Sequence, residues 1–163
     1  MSQDTAPETP PTAPADGPPY LIGWKEYVSF PKWGVRRVKA KVDTGARTSA
    51  IHVESYQLYE KPDAGLWAEL RLALNRRKPE EITVVHTRVL RMVVVTDSGG
   101  HREERPVIAA TLRLGPVRKR VLLTATNREG MLFRMLLGRK ALEGDFIVDV
   151  GQKYLMKKQR SEQ

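Results

Sequence analysis

Between Lys39 and Ala50 the chain reads Lys-Ala-Lys-Val-Asp-Thr-Gly-Ala-Arg-Thr-Ser-Ala, an alternating segment that runs straight into an acid, a hydroxyl and a glycine. Val38, Ala40 and Val42 fall on one face and Lys39 and Lys41 on the other, the period-two pattern of a half-buried strand. The strand ends at Asp43. Thr44 adds a hydroxyl that can bond neighbouring backbone, and Gly45 allows either a close backbone approach or a positive φ. A lone carboxylate has a pKa near 4 and is ionised at neutral pH. Two carboxylates at hydrogen-bonding distance cannot both ionise, so they share a proton and together can activate a water and protonate a leaving amine. The plainer alternative for the tripeptide alone is a polar turn that closes a strand.

A second stretch bears on that choice. Phe133-Arg-Met-Leu-Leu-Gly-Arg-Lys-Ala-Leu142 is an apolar run into Gly138 followed by a short helix-forming segment, and Gly144 to Asp149 reads as another strand. Asp-Thr-Gly-Ala after an alternating strand, with Leu-Leu-Gly-Arg-Lys-Ala-Leu downstream, resembles the retropepsin-like aspartic proteases. Within them the chain is most similar to a bacterial family long labelled ATP-dependent zinc proteases, whose members carry Lys-Val-Asp-Thr-Gly-Ala-Arg-Thr-Ser-Ala almost verbatim. Ile22-Gly-Trp24, Asp97-Ser-Gly-Gly100, Arg105-Pro-Val-Ile108 and Met135-Leu-Leu-Gly-Arg139 match that family too, so the resemblance spans Tyr20 to Leu155.

The resemblance implies an all-β fold, a small closed retropepsin-like barrel with one short helix near the C-terminus. It also implies catalysis by Asp43, with Thr44 and Gly45 shaping the turn. Because the chain has one Asp-Thr-Gly, activity requires a homodimer that sets Asp43 of each copy side by side across a two-fold axis. In that arrangement Thr44 would bond across the interface and Ala46 would pack behind the turn. The paired carboxylates would titrate as one unit. Ala46 and Arg47 are expected to meet substrate, together with Ser98, Gly99 and Gly100 if their hairpin acts as the flap that covers a retropepsin cleft. A plain surface hairpin is the equal alternative.

Viral members of the fold place an acid where Arg47 stands. Its guanidinium could pair bidentately with a substrate carboxylate, hold Asp43 ionised, or bond a loop carbonyl at the surface. Family members are often encoded with ligases that add glutamate to proteins, which implies an acidic or glutamate-modified protein as substrate or partner. The alternative is a non-catalytic binding module of the same fold that holds an acidic protein or RNA. The net charge of +9 permits either, although the basic residues are scattered and nucleic acid is the weaker expectation.

The remaining sequence sets bounds. The absence of cysteine excludes a disulfide framework, a thiolate zinc site and a cysteine nucleophile. His52, His86 and His101 are far apart with no His-Glu-x-x-His, and read as three unrelated surface histidines, so no metal is expected. No glycine-rich phosphate loop occurs, and no cofactor is expected. Residues 1–19 hold six prolines and little apolar bulk and read as a disordered tail; 20–156 form the domain and 157–163 a basic tail. No secretory signal or membrane-length apolar run is evident, which points to the cytoplasm.

The strand reading is as follows. Tyr20 to Phe30 forms a first strand, His52 to Gly65 a loop, and Leu66 to Leu74 a strand. Ile82 to Thr96 runs back antiparallel to it, Asp97 to Gly100 turns a hairpin into His101 to Leu114, and Val117 to Ala125 follows.

Overall fold

The computed structural model describes residues 19–157, so the expected tails at 1–19 and 157–163 lie, but for residues 19 and 157, outside the described residues. Twelve strands and one four-residue helix follow one another. They are β1 (Tyr20–Ile22), β2 (Lys25–Phe30), β3 (Val35–Val42), β4 (Ser49–His52), β5 (Ser55–Lys61) and β6 (Gly65–Leu72). After these come β7 (Thr83–Arg88), β8 (Arg91–Thr96), β9 (Arg102–Leu114), β10 (Val117–Thr126), β11 (Met135–Leu137), α1 (Arg139–Leu142) and β12 (Phe146–Val148).

Six strands close a barrel in the order β10-β4-β11-β3-β2-β9, with β9 pairing back onto β10. The alternation that marks β3 holds, because Val38 and Ala40 are fully buried while Lys39 and Lys41 face solvent. The interior is filled by branched and long apolar side chains, among them Phe30, Ile51, Leu112, Leu123, Met135 and Leu137, all with no more than 1% exposure. Such closure removes free strand edges from the body of the domain. β5, β6 and β7 form a separate antiparallel sheet whose inner residues Ala68, Leu70, Leu72 and Val85 join the same core. The retropepsin-like barrel is thus the architecture observed, with α1 as the short helix near the C-terminus.

Three strand expectations are corrected. Tyr20 to Phe30 is two strands, because the chain breaks at Gly23 and Trp24 and β1 pairs in parallel with β12 instead of continuing in the barrel. Residues 55–61 are strand β5 and not loop. Its outer residues are exposed and polar, so it lacks the apolar alternation that betrays a strand, and its pairing with β6 fixes it. The segment 82–96 changes sheets at Val89 and Leu90, so β7 pairs with β6 while β8 pairs with β9.

Two buried polar groups stitch the ends of the domain into it. Glu26, with 0% exposure, accepts hydrogen bonds from the N–H groups of Gly23 at 2.7 Å, Leu155 at 2.9 Å and Met156 at 3.2 Å. Lys119 on β10 donates to Asp145 at 2.6 Å, just before β12, both side chains being buried. Removing one partner of such a buried pair costs about 3–5 kcal/mol, because the other charge is then left uncompensated.

Candidate active site

The Asp43 turn owes its shape to an interleaved strand order. β3 and β4 are neighbours in sequence, yet β11 lies between them, parallel to β3 and antiparallel to β4. The chain leaving β3 must therefore cross the end of β11 before it returns as β4. Backbone bonds fix that crossing. The Asp43 N–H donates to Leu137 O at 2.8 Å, Ala46 N–H to Asp43 O at 3.1 Å, and the Arg139 and Lys140 N–H groups to Ala46 O and Arg47 O at 2.7 and 3.1 Å.

Two glycines permit this packing by close approach. A β-carbon on Gly138 would lie 2.7 Å from the Thr48 carbonyl carbon and 2.9 Å from Ala46 O, and the Gly138 N–H donates to Ser49 Oγ at 2.9 Å. Gly45 donates its N–H to Asp43 Oδ1 at 3.1 Å, and a β-carbon there would crowd the same oxygen at 3.3 Å. Of the two roles open to Gly45, close approach is the one observed; its φ is not in the left-handed region. Asp43 is half-buried, while Thr44 and Gly45 are exposed, so the carboxylate sits at the mouth of the barrel on a turn that presents itself outward.

The sequence reading missed two arginines. Arg139 Nη1 donates to Thr44 O at 2.9 Å and Gly45 O at 3.3 Å, clamping the turn from α1. Its position beside the Leu-Leu-Gly motif was the available signal. Arg128, in the loop after β10, is near enough to Asp43 for their charges to interact. Burial lowers its guanidinium below the ordinary arginine range, the charge of Arg105 adds to that, and the Asp43 carboxylate opposes it. Arg128 Nε donates to Phe133 O at 3.1 Å, and its backbone N–H donates to His52 Nδ1 at 2.7 Å. That bond makes Nδ1 an acceptor and puts the imidazole proton on Nε2. Nothing in the sequence near Arg128 signals this, because its support comes from β4.

His52 is 1% exposed, which corrects the expectation of a surface residue. Its pKa lies below the ordinary 6.5, first through burial and then through Arg134, with Glu54 and Glu129 opposing and Arg128 adding to the depression. His86 and His101 are exposed, on β7 beside Tyr59 and at the hairpin tip beside Asp97. Among the described residues no three His, Asp or Glu side chains converge as metal ligands.

The other expected site residues fall into two groups. Ala46 and Arg47 flank the turn, and the Arg47 side chain is exposed. Ser98, Gly99 and Gly100 form the tip of the β8–β9 hairpin, where Asp97 Oδ1 accepts from the N–H groups of Gly99 at 2.9 Å and His101 at 2.8 Å. The lower part of that hairpin carries Glu103, which accepts from Thr126 Oγ1 at 2.9 Å and from Arg105 Nε at 2.6 Å. The hairpin base thus brings the charge of Arg105 near Arg128 in the loop after β10. On the side where β3 ends, Leu21 and Ile147 are register partners on β1 and β12, and they are 45% and 55% exposed; Val150 follows at 80%. No helix among the described residues is long and apolar enough to cross a membrane.

Comparison with known proteins bears on this geometry. A family model described as RimB-like, retropepsin-like aspartic endopeptidase RimB, matches residues 21–159. A protein of Shewanella pealeana named "Probable alpha-L-glutamate ligase" is 34% identical over 137 residues, 84% of this chain and 30% of that protein. A protein of Desulfotalea psychrophila with the same name is 35% identical over 129 residues, 79% of this chain and 28% of that protein. The chain thus spans about 30% of the length of these curated relatives. The crystal structure of a protein of unknown function from Legionella pneumophila superposes with a TM-score of 0.70 at 20% identity, covering 84% of this chain and 98% of that one, a likeness of fold.

Proposed function

The chain belongs to the RimB-like family of retropepsin-like aspartic endopeptidases, and from that premise we propose that it hydrolyses peptide bonds as a cytoplasmic homodimer, using one Asp43 from each copy. The observation that carries this reading is the half-buried Asp43 carboxylate on an exposed turn braced at every backbone position from Asp43 to Arg47 but Thr44 and Gly45, whose carbonyls Arg139 clamps. In the dimer the two carboxylates share one proton. The ionised one accepts a proton from water as its oxygen attacks the peptide carbonyl carbon, and the protonated one supports the developing oxyanion. As the tetrahedral intermediate collapses, the amide nitrogen takes a proton, the C–N bond breaks, and the pair returns to its singly protonated state. Exposed Leu21, Ile147 and Val150 supply an apolar strip for the dimer contact, and burying it would favour association.

The substrate that suits the site is acidic. Arg128 is a half-buried cation whose charge Arg105 disfavours, so an arriving carboxylate would relieve both. The glutamate-ligase name of the longer relatives agrees with a glutamate-modified protein as substrate. Arg128 also suits a second reading, in which the domain holds an acidic protein or RNA without cutting it. The decisive experiment digests a proteome-derived peptide library with wild type and with Asp43→Asn, locating cuts by mass spectrometry while sedimentation reports the oligomer. Cuts made by the wild type alone, at acidic sites, support the protease; binding with no Asp43-dependent cut supports the module.

A further inference from the structure

On the far side of the loop that carries Arg128 lies a groove of about 650 Å³. Phe133 joins the two spaces, since its ring lines the groove and its carbonyl accepts Arg128 Nε. Lys25, Arg37, Lys39, Arg76, Arg77 and Arg134 line the groove, and no acidic residue does. These cations come from β2, β3, the turn after β6 and the loop before β11, so the fold gathers them from four separated segments.

Two observations mark this positive charge as short of acidic partners among the described residues. The Nε of Arg134 is buried and has no hydrogen-bond partner among the described residues. Tyr27, whose phenol burial alone would push up, lies below its ordinary value of 10.0 because Lys39 and Arg37 outweigh that burial. Two of the six cations rest on aromatic rings instead of carboxylates. Arg37 stands 4.0 Å over Tyr27, and Lys25 is 4.7 Å from Trp24 and 5.2 Å from Tyr154.

That packing also selects between polyanions. Single-stranded nucleic acid needs free ring faces on which bases stack. Here Tyr27 and Tyr154 stack on each other at 4.5 Å and Arg37 covers Tyr27, so the guanidinium and ammonium donors are what the groove offers. Planar guanidinium groups suit carboxylates in bidentate pairs.

We propose that this groove is an anchoring subsite for an acidic peptide segment, held a few residues away from the bond hydrolysed at Asp43. Lys39, Lys41 and Asp43 follow one another along β3 in two-residue steps, and Lys25 is the register partner of Lys41 on β2. From Lys39 to Asp43 is about 13 Å at 3.3 Å per residue, so an extended substrate spans it with about four residues. The spacing rests on the endopeptidase reading; the binding does not.

The test measures binding of a fluorescent oligoglutamate to Asp43→Asn by anisotropy, with and without Arg76→Glu/Arg77→Glu, two exposed positions in a turn. The expected result is a loss of affinity of about tenfold or more with the double reversal, and steep weakening with added salt. A control, Lys61→Glu/Arg88→Glu, makes the same charge change at the far end of β6 and should leave affinity within about twofold. Unchanged binding in the groove variant, equal loss in the control, or tighter binding of an oligouridylate than of the oligoglutamate would each overturn the proposal. In the cleaving enzyme, the groove variant should raise KM for long acidic substrates and leave kcat unchanged. If Arg76 and Arg77 govern binding but no wild-type cleavage occurs, the subsite stands and the protease reading falls. If cleavage occurs and its KM ignores these residues, the reverse holds.

Discussion

The Asp43 turn and the basic groove lie on either side of one loop, yet they are made by different means. The turn is held almost wholly by backbone groups and by the close approach at Gly138, where a β-carbon would meet backbone atoms, so its shape depends on a handful of atoms that cannot be replaced singly. The groove is made of long cationic side chains resting on aromatic rings, each a fraction of the total charge. The first arrangement positions one oxygen; the second sums a field. Substitutions should therefore act in an all-or-none way at the turn and by degrees in the groove.

The sharpest break in that contrast would come at Asp43. Asp43→Asn keeps an oxygen for the Gly45 N–H, so stability should change by less than about 0.5 kcal/mol, while peptide cleavage falls by on the order of 10²-fold to 10⁴-fold or more. Cleavage rates beside a thermal melt check it, and retained cleavage would end the reading. Next comes Gly138→Val, whose side chain must enter the space of the Thr48 carbonyl. Unfolding in urea should reveal a loss of about 1–3 kcal/mol or more. A neutral result would mean that the turn is less rigidly packed than its distances state.

At the proposed dimer contact, Leu21→Glu/Ile147→Glu should convert dimer to monomer in sedimentation and remove cleavage without lowering the melting temperature, since both positions are exposed. A variant that stays dimeric places the contact elsewhere. The pH dependence is a subtler probe of the loop between the two regions. His52 has a folded pKa below 6.5, so the unfolded chain binds a proton more readily as pH falls. Its contribution to stability is complete above about pH 6.5 and is lost as pH falls toward the folded value. His52→Asn should flatten that part of the stability-pH curve, as thermal melts between pH 5 and 8 would record. The smallest effect is expected in the groove, where Lys39→Ala alone should weaken oligoglutamate binding by only about twofold to threefold.

The same contrast explains what could be read from the sequence. Asp43, Thr44, Gly45, Gly138 and the alternation of β3 were legible because a backbone-built turn needs particular residue types at fixed short spacing. The closed barrel was expected from the family resemblance that those residues carry. Arg128 was not legible, since its orientation depends on His52, a residue 76 positions away that takes its N–H. The groove escaped for a related reason: its six cations look like scattered surface charge until β2, β3 and two loops meet. Strand β5 was hidden by its polar exposed face, and the division of 82–96 by a change of sheet that leaves no glycine or proline to mark it.

Glu26 has a bearing on how the protein is made. Two of the three N–H groups that satisfy its carboxylate belong to Leu155 and Met156, whereas the third belongs to Gly23, nearly the whole domain earlier. A nascent chain therefore leaves the Glu26 carboxylate short of two of its donors until residues 155 and 156 are in place. In the proposed homodimer, the strip of Leu21 and Ile147 would form only once β12 has joined β1, late in synthesis, so unfinished chains would lack it.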